Sequence, residues 1–322
     1  MLAAVCARIS PDDPIAGLEV REIPEPAPAD GWEVIEVRAA ALNHHDVWTL
    51  RGVGVTEGDL PVVLGTDAAG VTADGREVIV HAVLGIARPG EDESLAADFH
   101  VFSERGVHGT LAQLLAVPSR NLVPKPASLS FAEAACLPTA YLTAYRMLFT
   151  RAGLQPGQSV LVQGAGGGVA TAAVLLGCAA GLTVYVTSRS EEKRARALEL
   201  GAVAALEPGS RLPGRVDAVI ETVGRATWDH SLKALRPGGT VVVAGATSGS
   251  DPPADLSRLF WRQLSVVGSS MGTLVELHRL CAFLEQAGVR PLVDSEYALV
   301  DARAAFMRLE AGAEFGKIVV VP

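Results

Sequence analysis

The segment VLVQGAGGGVATAAVLLG, Val160 to Gly177, constrains this chain more than any other stretch. It reads as an apolar strand, a glycine turn and a helix in that order, the setting a dinucleotide fingerprint requires. Glycines let the backbone turn tightly and approach a pyrophosphate, while a helix starting near Val169 offers free N–H groups and the positive end of its dipole. Gly166, Gly167, Gly168 and Val169 are therefore the expected phosphate contacts. The register stays open. The last place of G-x-G-x-x-G falls on Val169 or, shifted by one, on Ala170, with the shifted reading beginning at Ala165. Close packing of a strand on a helix would not need so dense a run of glycines.

The flanking sequence repeats this alternation. SVLVQG, LTVYVTS, VDAVIETVG, GTVVVAGA and LSVVGSS are short apolar strands, and helical patterns lie between them, including one from about Ser190 and one around Trp228 to Leu235. Such an order predicts a doubly wound parallel sheet covered on both faces. The residues before it differ. From Val34 to about Val123 they read as short strands broken by turns, among them a D-G turn at Asp74 and Gly75. The tail holds the strand-like VDSEYALV, a helix from Asp301 to Ala311 and a last strand KIVVVP, and is expected to return to the β-rich region. The predicted division is 1–123 plus 289–322 for the β-rich domain and 124–288 for the Rossmann domain.

Composition excludes several classes. With 322 residues, 49% hydrophobic and 20% charged, the chain can bury two ordinary cores. Its 27 Lys and Arg against 36 Asp and Glu give a net charge of −9, and no dense basic run could track a nucleic-acid backbone. Cys6, Cys136, Cys178 and Cys281 lie far apart without a C-x-x-C pair, so neither a disulfide framework nor a zinc knuckle is expected, and the pattern fits a reducing cytoplasm. The start reads as a strand rather than a signal peptide. The most apolar helical stretch, of about 12 residues, falls well short of the roughly 20 needed to span a bilayer, so no membrane segment is expected.

About 24 residues beyond Gly164, where an NAD site places an acidic side chain on the ribose, stand Ser188 and Arg189, with Lys193 one turn further on. A guanidinium and a hydroxyl suit a 2′-phosphate, which favours NADPH. The alternative is that Arg189 is a solvated charge and Ser188 or Ser190 only caps the helix.

In order along the chain, AALNHHDVWTLRG, LPVVLGTDAAGV, PTAYLTAYRML, VLVQGAGGGVA, LGA, VDAVIETVG, LRPGGTVVVAGATSG and FGKIVVV resemble the medium-chain dehydrogenase/reductase superfamily over nearly the whole length. The resemblance implies a GroES-like catalytic domain beside the Rossmann domain. It places the nicotinamide in an interdomain cleft near Asn43, Thr143, Gly245, Ala246, Thr247, Ser269, Ser270, Met271 and Lys317, with Thr222, Val223 and Gly224 flanking the ribose.

By the same resemblance, the catalytic zinc ligands of the family's alcohol dehydrogenases fall here on Asn43, Thr66 and Thr139, none a good zinc donor. The stretch matching their four-cysteine lobe has no cysteine, only His100 and His108 as metal-capable imidazoles. No zinc is expected. The branch resembled is that of quinone oxidoreductases and enone or enal reductases, with a small carbonyl or quinone substrate. His45 occupies the place of a proton-relay hydroxyl and is the candidate donor beside Asn43. His44 is assigned to the cofactor, and either histidine could instead serve only to hydrogen-bond phosphate or ribose. Two other readings stay open: an alcohol dehydrogenase with an atypical metal site built from His44, His45, Asp46, Asp67 and Cys136, and a crystallin-like protein that binds NADPH without turnover. The resemblance also implies a homodimer, paired through LSVVGSS at the edge of the Rossmann sheet.

Overall fold

The computed structural model describes residues 1–88 and 91–322. Pro89 and Gly90, in the loop from Gly85 to Gly109 that the sequence suggests as a pocket cover together with Val53 to Leu60, lie outside the described residues. Two compact units form, one from Met1–Ala140 with Gly272–Pro322 and the other from Tyr141–Met271. Residues 124–140 and 272–288, assigned from sequence to the nucleotide domain, thus lie in the first unit.

In chain order the first 140 residues carry β1 (Leu2–Cys6), β2 (Leu18–Glu22), β3 (Trp32–Ala41), α1 (His44–Leu50), β4 (Val62–Val63), β5 (Asp67–Thr72), β6 (Glu77–Val80), β7 (Leu114–Pro118), β8 (Leu122–Pro124) and α2 (Phe131–Ala135). The middle of the chain supplies β9 (Ser159–Val162), α3 (Leu142–Tyr145, preceding β9), α4 (Gly168–Ala179), β10 (Thr183–Thr187), α5 (Glu191–Glu199), β11 (Ala204–Leu206), β12 (Val216–Glu221), α6 (Trp228–Ala234), β13 (Leu235–Val243), α7 (Leu256–Arg262) and β14 (Ser265–Gly268). The tail adds α8 (Leu274–Ala287), β15 (Val293–Ala298), α9 (Ala302–Glu310) and β16 (Lys317–Val321).

In the first unit a sheet ordered β15-β16-β3-β5-β6-β8, with β7 also on β3, stands beside a three-stranded sheet β2-β1-β4. The period-two pattern of β3 explains its place: Ile35, Val37 and Ala39 are buried while Glu36 and Arg38 face solvent. The tail does return, with Val319 opposite Ala41 and Val320 opposite Ala40. Ile35, Val37, Leu50, Leu64, Phe102, Phe306 and Ile318 share one core.

The second unit is a parallel sheet ordered β11-β10-β9-β12-β13-β14. Numbered from β9, that is the 3-2-1-4-5-6 order of a dinucleotide-binding sheet, whose strand order reverses beside β9. Its central strands β9 and β12 are mostly apolar and buried, as burial on both faces demands, with Glu221 as the buried exception at the end of β12. β14 is the edge, as expected, with Ser265, Val266 and Gly268 exposed. Helix α8 was not anticipated, although its signal was present: Thr273 and Glu276 form a capping box, and Gly288 ends the helix in the left-handed region at φ 65°. No helix among the described residues is long and apolar enough to cross a membrane.

Candidate active site

In the first unit the candidate residues meet because β3, β5 and β16 are neighbours. Asn43 follows β3 as the N-cap of α1, and its backbone N–H donates to the Asp46 carboxylate at 2.8 Å. Lys317 begins β16. Its ammonium donates to the Leu42 carbonyl and, at 2.6 Å, to Asn43 Oδ1, and it lies 3.7 Å from Asp67 Oδ2. Asn43 Nδ2 in turn reaches Thr66 Oγ1 at 3.0 Å and Asp67 Oδ2 at 2.9 Å. Thr139 donates to Asp67 Oδ1 at 2.5 Å and stands 3.3 Å from Thr66 Oγ1. The result is a buried polar cluster in which the Asn43 carboxamide is engaged at both ends.

Burial pushes the Asp67 carboxyl above the usual carboxylate range, against the opposing pull of Lys317 and the hydrogen bonds from Asn43 and Thr139. Burial likewise pushes Asp46 up to about 6, partly offset by His45 and the Asn43 N–H. Cys136, close in sequence to Thr139, donates its thiol to the Ala132 carbonyl, and burial pushes the thiol up to about 12. Among the described residues no three His, Cys, Asp or Glu side chains are grouped to hold a metal ion. His108 instead accepts the Val63 N–H through Nδ1 at 3.2 Å, and His100 Nδ1 stands 2.7 Å from the Asp98 carbonyl.

His45 lies in the first turn of α1, with Nε2 2.9 Å from Glu104 Oε1 and Nδ1 3.5 Å from Thr49 Oγ1. Burial disfavours its charged form, but the Glu104 hydrogen bond and the fields of Asp46, Glu104 and Asp67 outweigh that, leaving it more basic than an ordinary histidine. For Glu104, burial pulls upward while the His45 and Val101 N–H hydrogen bonds prevail, so its carboxyl is held below the usual range. Sequence reading did not find Glu104, because nothing local marks a loop carboxylate that meets α1 from 59 residues away. His44 keeps part of its surface in solvent, yet the desolvating protein around its ring and then the nearby Lys317 charge make it less basic.

In the second unit the expected cofactor residues gather at the carboxyl ends of the parallel strands. Gly164 and Gly166 adopt φ values of 81° and 113°, and a Cβ at Gly167 would meet nothing within 4 Å. Gly167 caps α4, whose first turn holds Gly168 and Val169. The glycine run is therefore a tight turn, open at Gly167, that leads into a 12-residue helix.

Ser188 follows β10, and its Oγ accepts the Ser190 N–H at 3.2 Å. Ser190 caps α5 by accepting the Lys193 N–H, so capping occurs as the alternative reading proposed, while Arg189 remains exposed beside it. Arg194, not singled out from sequence, braces this turn by donating to the Ser188 carbonyl at 2.7 Å.

Thr222, Val223 and Gly224 form a turn after β12 that packs on the turn carrying Gly245, Ala246 and Thr247 after β13. The Val223 carbonyl accepts the Ser248 N–H at 2.7 Å. Gly224 has φ 90°, and a Cβ there would lie 2.5 Å from the Gly249 carbonyl oxygen, so only glycine closes this contact. Ser269, Ser270 and Met271 follow β14; the Ser269 hydroxyl is shut from solvent without a hydrogen-bond partner, and Met271 has φ 50°. Thr143 is buried in α3.

A six-stranded dinucleotide sheet with a glycine cradle, joined in one chain to a β-rich unit carrying a polar cluster, defines a nucleotide-dependent oxidoreductase. Residues 29–127 match the alcohol dehydrogenase GroES-like domain and residues 168–286 the zinc-binding dehydrogenase domain. The chain is 32% identical to the 2-methylene-furan-3-one reductase of Solanum lycopersicum, covering 90% of this chain and 71% of that one. It is 28% identical to the quinone oxidoreductase of Mus musculus, over 92% and 91% of the two. A crystal structure of an NAD-dependent alcohol dehydrogenase superposes with a TM-score of 0.92 at 33% identity over 100% of both chains. The chain belongs to the medium-chain dehydrogenase/reductase superfamily.

Proposed function

We propose that the protein is an NADPH-dependent reductase of quinones or α,β-unsaturated carbonyl compounds that works without zinc. The observation that carries this reading is the cluster around Lys317. At the three positions where the family's zinc enzymes place ligands stand an amide and two hydroxyls, and these are tied to one another, directly or through Asp67. The Lys317 ammonium already neutralises Asp67, and a cation beside it would have to displace that charge. Such a donor set does not fit zinc, which prefers thiolate, imidazole and carboxylate.

The glycine cradle does fit a dinucleotide, with open space over Gly167 and the free N–H groups of α4 facing it. NADPH, when bound, supplies the hydride. Exposed Arg189, held beside Ser188 by the Arg194 brace, supports a 2′-phosphate and so the choice of NADPH over NADH. Names among the relatives, a methylene-furanone reductase and a quinone oxidoreductase, support the substrate class.

Reduction of an activated alkene or a quinone also requires a proton. In this reading His45, made more basic than an ordinary histidine by Glu104, supplies it, while Asn43 is held rigid by Lys317 and Asp67 and shapes the substrate's surroundings. The exposed edge strand β14, together with exposed Phe260 and Trp261 on the preceding helix α7, supports a homodimer across a two-fold axis. The test is turnover of a simple quinone and a simple enal with NADPH after exhaustive chelation; an enzyme of this kind keeps its rate.

A further inference from the structure

One buried carboxylate has no part in the chemistry above. Glu221 ends β12 with no exposed surface, and its acceptor positions are filled. Oε1 accepts the backbone N–H groups of Val223 at 2.8 Å and Gly224 at 3.0 Å, the Thr227 hydroxyl spans both oxygens at 2.9 Å, and the Ser231 hydroxyl reaches Oε2 at 2.6 Å. A carboxylate taken out of water is costly unless donors meet it, and here two of those donors are the main chain of the 222–224 turn.

Fixing those two N–H groups inward sets the orientation of the turn's peptides. The Thr222 and Val223 carbonyls are then left to accept from Thr247 and Ser248 in the neighbouring turn, and the Thr222 and Val223 side chains are left half-exposed. The same network reaches the glycine cradle. Gln163, 1% exposed, donates to Ser231 Oγ at 3.0 Å and accepts from Thr187 Oγ1 at 2.6 Å, and Thr187 accepts the Gly164 N–H at 3.3 Å.

We infer that Glu221 is a positioning residue for the nicotinamide half of the cofactor: its carboxylate holds the Val223–Gly224 turn in the shape that receives the ribose, and Ser231 and Gln163 lock that turn to the phosphate cradle. This rests on the dinucleotide reading above, and it adds that the two halves of the cofactor are held by separable devices, the adenosine end by the Ser188–Arg194 turn and the nicotinamide end by Glu221.

The experiment titrates the full chain and two variants with NADPH and with 2′,5′-ADP, the adenosine half alone, and measures KM and kcat alongside. Glu221→Gln keeps the shape but loses the charge and an acceptor. It is expected to raise the Kd and KM for NADPH roughly tenfold, leave kcat at saturation near that of the parent, and leave 2′,5′-ADP affinity unchanged within about twofold. Ser231→Ala removes one donor with little change of volume, shifts NADPH in the same direction by less, and stands in should Glu221→Gln not fold. Unchanged NADPH affinity in a folded variant overturns the inference, as does an equal loss for both ligands, which would mark Glu221 as a general prop of the sheet. A parent protein that binds neither ligand would instead sink the dinucleotide reading itself, a separate outcome.

Discussion

The Lys317 ammonium lies 2.6 Å from Asn43 Oδ1 and 3.7 Å from Asp67 Oδ2, with all three side chains buried. A buried charge is tolerated only in company, so Lys317→Met should leave Asp67 uncompensated and destabilise the protein by about 3–5 kcal/mol. Adding Asp67→Asn to Lys317→Met should return part of that loss. Chemical denaturation of the single and double variants, read as a double-mutant cycle, checks the coupling.

The His45–Glu104 pair makes a pH prediction with a definite sign. If protonated His45 is the donor, kcat/KM falls as pH rises through its folded pKa, which lies above the ordinary 6.5. Glu104→Gln removes the partner that holds this pKa up, so the fall should move to lower pH. His45→Gln should lower kcat by roughly 10²-fold or more and flatten that limb of the profile.

Stability carries a matching signature. The raised His45 pKa contributes stability that is complete below 6.5 and lost as pH rises through the folded value. The depressed Glu104 pKa contributes stability present above 4.5 and lost as pH falls through its folded value. The melting temperature of the parent should therefore exceed that of Glu104→Gln most clearly between 4.5 and 6.5.

Much of this architecture was legible in the sequence because it follows from local rules. The strand, glycine turn and helix at Val160–Gly177 specify one another within 18 consecutive residues, and the apolar strands after them leave few topologies open. Positions brought together by long-range pairing were less visible. Asn43 and Lys317 are 274 residues apart and came to notice only through family resemblance, and Glu104 had no such cue. Glu221 had one: an acidic residue closing the apolar strand VDAVI must find donors, and the following turn supplies them. Domain edges were hardest, because α8 and the segment around α2 are helical in pattern like the nucleotide domain, yet they lie in the first unit.

Arg189 is exposed next to Ser188, and the proposed function assigns its charge to a 2′-phosphate. Arg189→Asp should weaken NADPH by roughly 10- to 100-fold through loss of a charge-assisted contact and addition of a like charge, with NADH affected far less. Calorimetric titration with both cofactors measures the switch.

Phe260 and Trp261, on the helix α7 that precedes the edge strand β14 in the chain, are 69% and 79% exposed, an unusual amount of aromatic surface for a face left in water. If that edge pairs with a second copy, Val266→Lys combined with Trp261→Ser should yield a monomer of normal fold. Sedimentation of parent and variant decides this, and a parent that is already monomeric would remove the dimer from the account.

The central claim is that hydride reduction proceeds here with NADPH and no metal. The most direct measurement is the rate of NADPH oxidation by a quinone and by an enal, taken on chelator-dialysed protein whose metal content is determined on the same sample. The account predicts undiminished turnover at negligible metal content, with no gain on adding zinc. Loss of activity on chelation, restored by stoichiometric zinc, would contradict it and return the chain to the zinc-dependent alcohol dehydrogenases.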